Sequence, residues 1–401
     1  MNNPQLKPVH PFPARMAPSI AWEHLNSKKR LRVLDPMVGS GTTVTIARFL
    51  GHEAFGIDTD PLAVTIASAW SNNLDEDVIR EEANKILKSA KIYSKKLTSH
   101  TAFPGNCDKE TQEFMKFWFD LRNRKELTSI SKYIFLIKND KVRQIMWTAF
   151  SRMIITKSSG VSLAMDISHS RPHKVYSKAP CNAFDIFIKS VESVISKAPF
   201  SDKTFYNKPQ TKIINGDSRT MPYPSNYFDL IITSPPYLNA IDYFRASKLS
   251  LVWMGNSVNE IKKLRSNNIG SEVMAREVKE KHIQRASKKI GFIEDLPNRE
   301  KGFTFRYIIE MDKVMKEISR VSKKKSKTIM VVGNSTLKNV YISNSNAIID
   351  LGINYGLKLV KQTEREIPDN KRYLPSPGHS GSGSELKSRM RNEVVIEFIK
   401  Q

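Results

Sequence analysis

The sequence predicts an open α/β fold with a mostly parallel sheet, interrupted by a helical insertion. Three observations lead there. A strand-like run at residues 31–34 ends in Asp35-Pro-Met-Val-Gly-Ser-Gly-Thr-Thr43 and passes into apolar, helix-opening residues 44–50. A second short strand, residues 53–57, ends in Asp58-Thr-Asp60, and Pro61 then stands where the first turn of a helix accepts proline. Much further on the pattern resumes, with strands at residues 212–215 and 228–233, the latter largely apolar and closed by Ser234-Pro-Pro-Tyr237. Strands that alternate with helices in this way assemble into doubly wound parallel sheets.

Ahead of the first strand, residues 10–18 are punctuated by prolines, and residues 20–25 form a short apolar, helix-like stretch. From about residue 75 to residue 210 the alternation stops and the reading is largely helical, with basic and aromatic residues mixed through it. Residues 239–254 predict an amphipathic helix, and residues 262–299 are charged and poorly periodic. Residues 303–321 carry Ile308, Met311, Val314, Met315 and Ile318 at helical spacing. A buried strand at 328–332, a helix at 347–355 and strands at 357–364 and 393–399 follow, the last two joined by a Gly/Ser-rich loop at 375–384. The chain thus divides into residues 1–74, an insertion at 75–210, and residues 211–401 with a basic segment at 255–302.

With 401 residues, 40% of them hydrophobic and 26% charged, the chain is long enough to bury a sizeable core, which excludes intrinsic disorder as a whole. It contains no apolar run near the ~20 residues of a bilayer span, and MNNPQLKPVH lacks the hydrophobic stretch of a secretory signal, so a cytoplasmic protein with no membrane partner is expected. Cys107 and Cys181 have no partners at metal-ligand spacing, and His169 and His173 have no further ligands beside them, so no metal is expected. The 64 Lys and Arg against 40 Asp and Glu give a formal charge of +24. Such a surplus fits a polyanionic partner, because neutralising phosphates releases counterions and supplies affinity without sequence preference.

Gly39 and Gly41 allow a backbone to approach a ligand closely at a helix N-terminus, the arrangement of nucleotide-binding loops; tight packing of strand on helix uses the same residues. The spacing matches neither G-x-G-x-x-G nor the P-loop, which disfavours NAD or ATP. Asp58, closing the second strand, is placed to accept both hydroxyls of a ribose or to cap the following helix, a role Asp60 suits equally. Asp217 occupies the next position along the same sheet edge. In Ser234-Pro-Pro-Tyr237, two prolines after a buried strand remove two donors and stiffen the turn. The Ser234 hydroxyl and Pro235 carbonyl can then hold an exocyclic amino group, Pro236 keeps the turn rigid, and Tyr237 offers a ring to stack on a base.

Asp35-Pro-x-x-Gly-x-Gly-Thr combined with Thr-Ser-Pro-Pro-Tyr resembles the S-adenosyl-L-methionine-dependent amino-methyltransferases of DNA, which modify N4 of cytosine or N6 of adenine. The resemblance covers roughly residues 8–72 and 211–360. It implies a Rossmann-like class I methyltransferase sheet, with Asp35, Pro36, Gly39, Gly41, Thr42 and Asp58 holding the cofactor and Asp217 approaching its adenine. It likewise makes Phe12 and Arg15 cofactor contacts, and gives Ser234, Pro235, Pro236 and Tyr237 the target base, flipped out of double-stranded DNA. Serine in the first position of the tetrapeptide favours cytosine N4 over adenine N6, although cofactor motifs preceding that tetrapeptide are not the order of many serine-bearing members. An RNA amino-methyltransferase and a non-catalytic nucleic-acid-binding module are the rival readings. A cysteine-dependent C5 mechanism is disfavoured, because Pro180-Cys181 lies in the insertion. Methyl transfer from a sulfonium is an in-line displacement that asks mainly for proximity and orientation, so no catalytic His or Cys is needed. Phosphate contacts are expected from the insertion at Arg152, Lys157, His169, Arg171 and Lys174, and after the catalytic motif at Lys262, Lys263 and Arg265; a solvated basic surface is the alternative. The run Lys323 to Lys325 reads as solvated. A cognate restriction endonuclease is a candidate partner.

Overall fold

The structure, a computed structural model, describes residues 6–13, 15–105, 107–156, 160–165, 172–200, 205, 207–238, 243–271, 273–275, 280–338, 340–367 and 392–401. Strands β1 (Arg32–Asp35), β2 (Glu53–Asp58), β3 (Lys212–Asn215), β4 (Phe228–Thr233), β5 (Ser322–Gly333), β6 (Leu357–Glu366) and β7 (Asn392–Lys400) form one seven-stranded sheet in the order β3-β2-β1-β4-β5-β7-β6. The first five pair in parallel, and β7 runs antiparallel to both neighbours. This is the expected Rossmann-like methyltransferase architecture. The chain winds outward from β1 to β3, then returns to lay β4 on the other side of β1. Ligands of open α/β sheets bind at that reversal, outside the carboxyl ends of the strands.

Both faces of the sheet are covered, which is why its central strands read as apolar runs. Val33, Leu230, Ile232, Ile329 and Val331 pack on one side with helices α1 (Pro18–Leu25) and α2 (Thr42–Phe49). Their neighbours Leu34, Ile231, Met330 and Val332 face the opposite side. There they meet α11 (Lys281–Ile290), α12 (Asn298–Val321) and α13 (Asn344–Asn354).

Helix α3 (Pro61–Trp70) begins on a true N-cap, with Asp60 Oδ1 accepting from the Leu62 N–H at 2.9 Å. The insertion is helical as expected, comprising α4 (Glu76–Ser94), α5 (Lys109–Trp118), α6 (Leu121–Phe135), α7 (Asp140–Ile154) and α8 (Ala183–Ile195). Asp75, Asp108, Asp120 and Asn139 cap the first four through their side chains. The insertion has no core of its own: Ile86, Ile130, Ile145 and Phe187 share one apolar cluster with Ile66 and Trp70 of α3 and with Trp253.

Residues 262–299 are more ordered than their charge suggests. They hold the end of α10 (Val258–Asn267), begun by a full capping box at Ser257 and Glu260, and the whole of α11. In α11 the buried Ile283, Ala286 and Ile290 do keep helical spacing, but seven polar residues among ten hide it. Strand β5 starts six residues before the expected 328, directly at the end of α12. The helix expected at 239–254 is α9 (Tyr243–Leu251), residues 239–242 and the loop 375–384 lying outside the described residues.

Candidate active site

The tips of β1, β2, β3 and β4 bound an open cleft of about 600 Å³, its solvent-facing mouth included. Pro36, Gly39 and Asp58 line it from the ends of β1 and β2, and Ser234 and Pro236 from the tetrapeptide, so segments far apart in sequence meet in one cavity. Phe12 closes one side.

Gly39 and Gly41 both have positive φ, +48° and +92°. A Cβ on Gly41 would stand 2.8 Å from Cα and Cβ of Ala67, so the absence of a side chain is what lets α2 lie on α3. A Cβ on Gly39 would meet only the Phe12 ring, at 3.8 Å. The Gly39 N–H donates to Asp58 Oδ2 at 2.8 Å, and the Asp60 N–H to Asp58 Oδ1 at 3.0 Å, so the loop and the β2 tip set each other's positions. Thr42 opens α2 and is buried behind Gly41.

Three carboxylates cluster at these strand ends. Asp35, 4% exposed, accepts from Thr233 Oγ1 at 2.8 Å and from the Met37 N–H at 3.2 Å, which ties β1 to β4 just before Ser234. Burial pushes it up to about 6 despite those hydrogen bonds. Asp60 is pushed up to about 7, by burial first and then by the neighbouring charge of Asp58. Burial also raises Asp58, against the backbone N–H groups that favour its ionised form. An acidic, partly desolvated cleft of this kind suits a ligand that carries positive charge and hydroxyls.

In the turn after β4, Ser234 Oγ and Tyr237 Oη lie 3.3 Å apart. Tyr237 is half-buried, and burial together with Glu393 holds its hydroxyl above the usual phenol range, so it stays protonated. Pro235 is buried and Pro236 reaches the cleft. Arg15 donates to the His10 carbonyl at 3.4 Å, bracing the turn that presents Phe12.

Asp217 stands at the expected sheet edge, beside the cleft. Its neighbours Gly216 and Ser218 line the cleft, whereas its own carboxylate is gripped by Arg219. Asn268, read in the sequence only as a neighbour of the basic residues Lys262, Lys263 and Arg265, and Ile269, which no motif marks, also line the cleft from the loop after α10. Thr59 and Ser218 were detectable as neighbours of the two aspartates.

Of the expected phosphate contacts, Lys157, His169 and Arg171 lie outside the described residues. Arg152 is a correction: it sits in the last turn of α7, not in a loop, and turns inward to the Val9 carbonyl at 2.5 Å and Ser193 Oγ at 2.8 Å. Burial lowers its pKa. Lys174 is exposed, its Nζ 4.4 Å from the Phe117 ring centroid. Lys262 pairs with Glu110 at 2.5 Å, while Lys263 and Arg265 are exposed on α10. Lys323 is not simply solvated, since it pairs with Asp229 at 2.6 Å. Among the described residues no His, Cys, Asp or Glu cluster is arranged to hold a metal, and no helix is long and apolar enough to cross a membrane.

Comparison with known proteins bears on what this cleft serves. No protein-family model matches the chain. Type II methyltransferase M.MvaI of Kocuria varians is 23% identical over 413 aligned positions, covering 96% of this chain and 89% of that protein. This chain is similar to a type II methyltransferase over nearly its whole length. Type II methyltransferase M.BsoBI of Geobacillus stearothermophilus is 24% identical over 63% of this chain and 52% of its own length. M.MjaII of Methanocaldococcus jannaschii, also a type II methyltransferase, matches 30% of this chain at 25% identity, over 23% of its own length. Among solved structures, a SAM-dependent methyltransferase from Methanosarcina mazei superimposes at a TM-score of 0.34, with 7% identity over 96% of this chain and 99% of that one. The strand order, not this loose superposition, carries the fold.

Proposed function

We propose that the protein is a DNA amino-methyltransferase that uses S-adenosyl-L-methionine to methylate an exocyclic amino group in double-stranded DNA, with N4 of cytosine the favoured target. The observation that carries this reading is the meeting of Ser234 and Pro236 with Gly39 and Asp58 in one cleft. Similarity to M.MvaI along almost the full chain supports it.

The residues present fit the donor. Asp58 offers a carboxylate to ribose hydroxyls, the Gly39 backbone gives close access, and the carboxylates of Asp35, Asp58 and Asp60 offset the charge of a sulfonium. Phe12 walls the methionine side. When bound, the donor supplies an electrophilic methyl group. The chain itself supplies orientation: the Ser234 hydroxyl and Pro235 carbonyl accept hydrogen bonds from the target amino group, which aims its nitrogen at the cleft. Asp35 acts behind them, holding Thr233 and hence the start of the turn. A duplex hides the amino group, so the base is extruded at a cost of a few kcal/mol, partly offset by stacking on Tyr237.

The test is expression in a host without DNA methylation, followed by sequencing that separates N4-methylcytosine from N6-methyladenine, with Asp58→Ala as control. N4-methylcytosine at one short motif, absent in the control, is the expected result. N6-methyladenine would reassign the base. Methylation of RNA alone, or a protein that binds no donor, would replace the proposal by the corresponding rival.

A further inference from the structure

Both carboxylate oxygens of Asp217 are taken up by Arg219, and Asp217 is not among the residues that line the cleft, although Gly216 and Ser218 on either side of it are. Arg219 Nε donates to its Oδ1 at 2.9 Å and Oδ2 at 3.0 Å, Arg219 Nη2 to Oδ2 at 2.7 Å, and the Arg219 backbone N–H to Oδ1 at 2.8 Å. Three N–H groups of Arg219, Nε being shared between the two oxygens, thus hold the carboxylate on its Arg219 side, and the Asp217 side chain keeps 34% of its surface exposed. The same guanidinium reaches further, with Nη1 on Glu310 Oε1 at 2.9 Å and Nη2 on the Asn267 carbonyl at 2.8 Å. Glu310, 5% exposed on α12, also accepts from Arg306 Nε at 2.8 Å and from the Gly270 N–H at 3.2 Å. Arg306 in turn donates to the Ser266 carbonyl at 2.7 Å.

These bonds pin the loop 266–270 at both ends. Its middle residues, Asn268 and Ile269, form part of the cleft wall, and Asn268 Oδ1 accepts from Thr59 Oγ1 at 3.2 Å across the opening. Gly270, at φ +76°, lies against Pro236 and the Tyr237 carbonyl, so the same loop also abuts the catalytic turn. Unlike an exposed ion pair, this network is shielded: the Arg219 and Glu310 side chains are 17% and 6% exposed.

We propose that Arg219 is a positioning residue: held between Asp217 and Glu310, it fixes Asn268 and Ile269 as a wall of the donor-binding cleft, and the acid after the third strand serves the donor through this wall and not by contact. The inference rests on the reading that the cleft binds S-adenosyl-L-methionine.

The test uses the full chain and its Glu310→Gln, Arg219→Lys and Asp217→Asn variants. Hydrogen exchange of the 266–271 backbone is followed without ligand, and binding of S-adenosyl-L-methionine and of its analogue bearing oxygen in place of the ring 6-amino group is measured by calorimetry. Loss of one charge-assisted hydrogen bond predicts that Glu310→Gln exchanges about tenfold faster in this loop and binds the donor about tenfold more weakly. Asp217→Asn should weaken donor and analogue by the same factor. Arg219→Lys keeps the charge but loses the fork, and carries the same comparison should Glu310→Gln not fold. Unchanged loop exchange, or a loosened loop with unchanged donor affinity, overturns the proposal. So does loss of discrimination against the analogue in Asp217→Asn alone, which would make Asp217 a direct reader. A wild-type protein that binds no donor, while its loop still depends on Glu310, instead overturns the donor reading on which the wall role depends.

Discussion

Replacing Gly41 by alanine separates the packing role of the glycine loop from its ligand role. The residue is held at φ +92°, where an L side chain costs roughly 1–2 kcal/mol. The added methyl would also sit 2.8 Å from Cα and Cβ of Ala67, and the backbone of α3 cannot yield as a flexible side chain would. Overpacking of this kind costs about 1–3 kcal/mol, for a total of about 2–5 kcal/mol, a large share of the 5–15 kcal/mol that typically separates folded from unfolded chains. Gly39→Ala carries only the left-handed term, because its methyl would rest 3.8 Å from the Phe12 ring. The assay is the urea midpoint of both variants at matched m-value. Gly41→Ala should unfold at clearly lower urea than Gly39→Ala. Equal midpoints, or a more damaged Gly39→Ala, would refute the argument that contact with α3 is what requires glycine at 41.

Asp58→Asn should weaken S-adenosyl-L-methionine binding about 10- to 100-fold by calorimetry, the range for losing a charged acceptor, while the fold persists. Tyr237→Phe keeps the ring and loses only a hydroxyl 3.3 Å from Ser234, so kcat should fall roughly 2- to 10-fold, against roughly 10- to 100-fold for Tyr237→Ala. Asp35 keeps its proton in the fold up to about pH 6 but releases it near 3.8 when unfolded, so its contribution to stability is full below 3.8 and is lost as pH rises through 6. Asp35→Asn should therefore flatten the stability profile between those values by on the order of 3 kcal/mol, read from urea midpoints across pH. Arg152→Gln should lower the melting temperature yet leave the slope of log K for DNA against log salt unchanged, because the guanidinium is committed to Val9 and Ser193; a slope smaller by about 1 would restore it as a phosphate contact.

Much of this was legible in the residues because local and global signals coincide. Strands β3 and β4 were bounded correctly since Gly216 and Pro235 punctuate them; the apolar run of β4 is buried on both faces, while Ile213 and Ile214 of the edge strand β3 are half-buried, one toward each face. Pro61 and Asp60 announced α3 by mechanism, one supplying a fixed φ and the other a cap. What escaped was set by contacts between residues far apart in the chain. Helix α11 is covered on one side only, so three buried apolar residues were outweighed by polar neighbours. Nothing near Asn268 and Ile269 in sequence marks them as cleft residues; their position follows from Arg219, Arg306 and Glu310, which are 37 to 50 residues away. Arg152 misled because a basic residue in a polar stretch is equally consistent with a phosphate contact and with an internal tether. The carbonyl it meets favours the tether.

The insertion is best understood from that tether. Residues 75–210 separate strands β2 and β3 in the chain and would be dispensable to the cleft if they merely projected from it. Instead α7 packs on α3, and its last turns seize the N-terminal segment at successive residues: Arg152 holds the Val9 carbonyl, and Ser151 Oγ lies 3.0 Å from His10 Nε2 and 2.8 Å from Ser250 Oγ of α9. Two residues further on, Phe12 enters the cleft beside Gly39. Because a proline-rich segment has little secondary structure of its own, its order must come from such contacts. The helices that interrupt the sheet in sequence therefore complete the Phe12 side of the cleft in space, and any role of their outer surface in contacting nucleic acid is additional to that one.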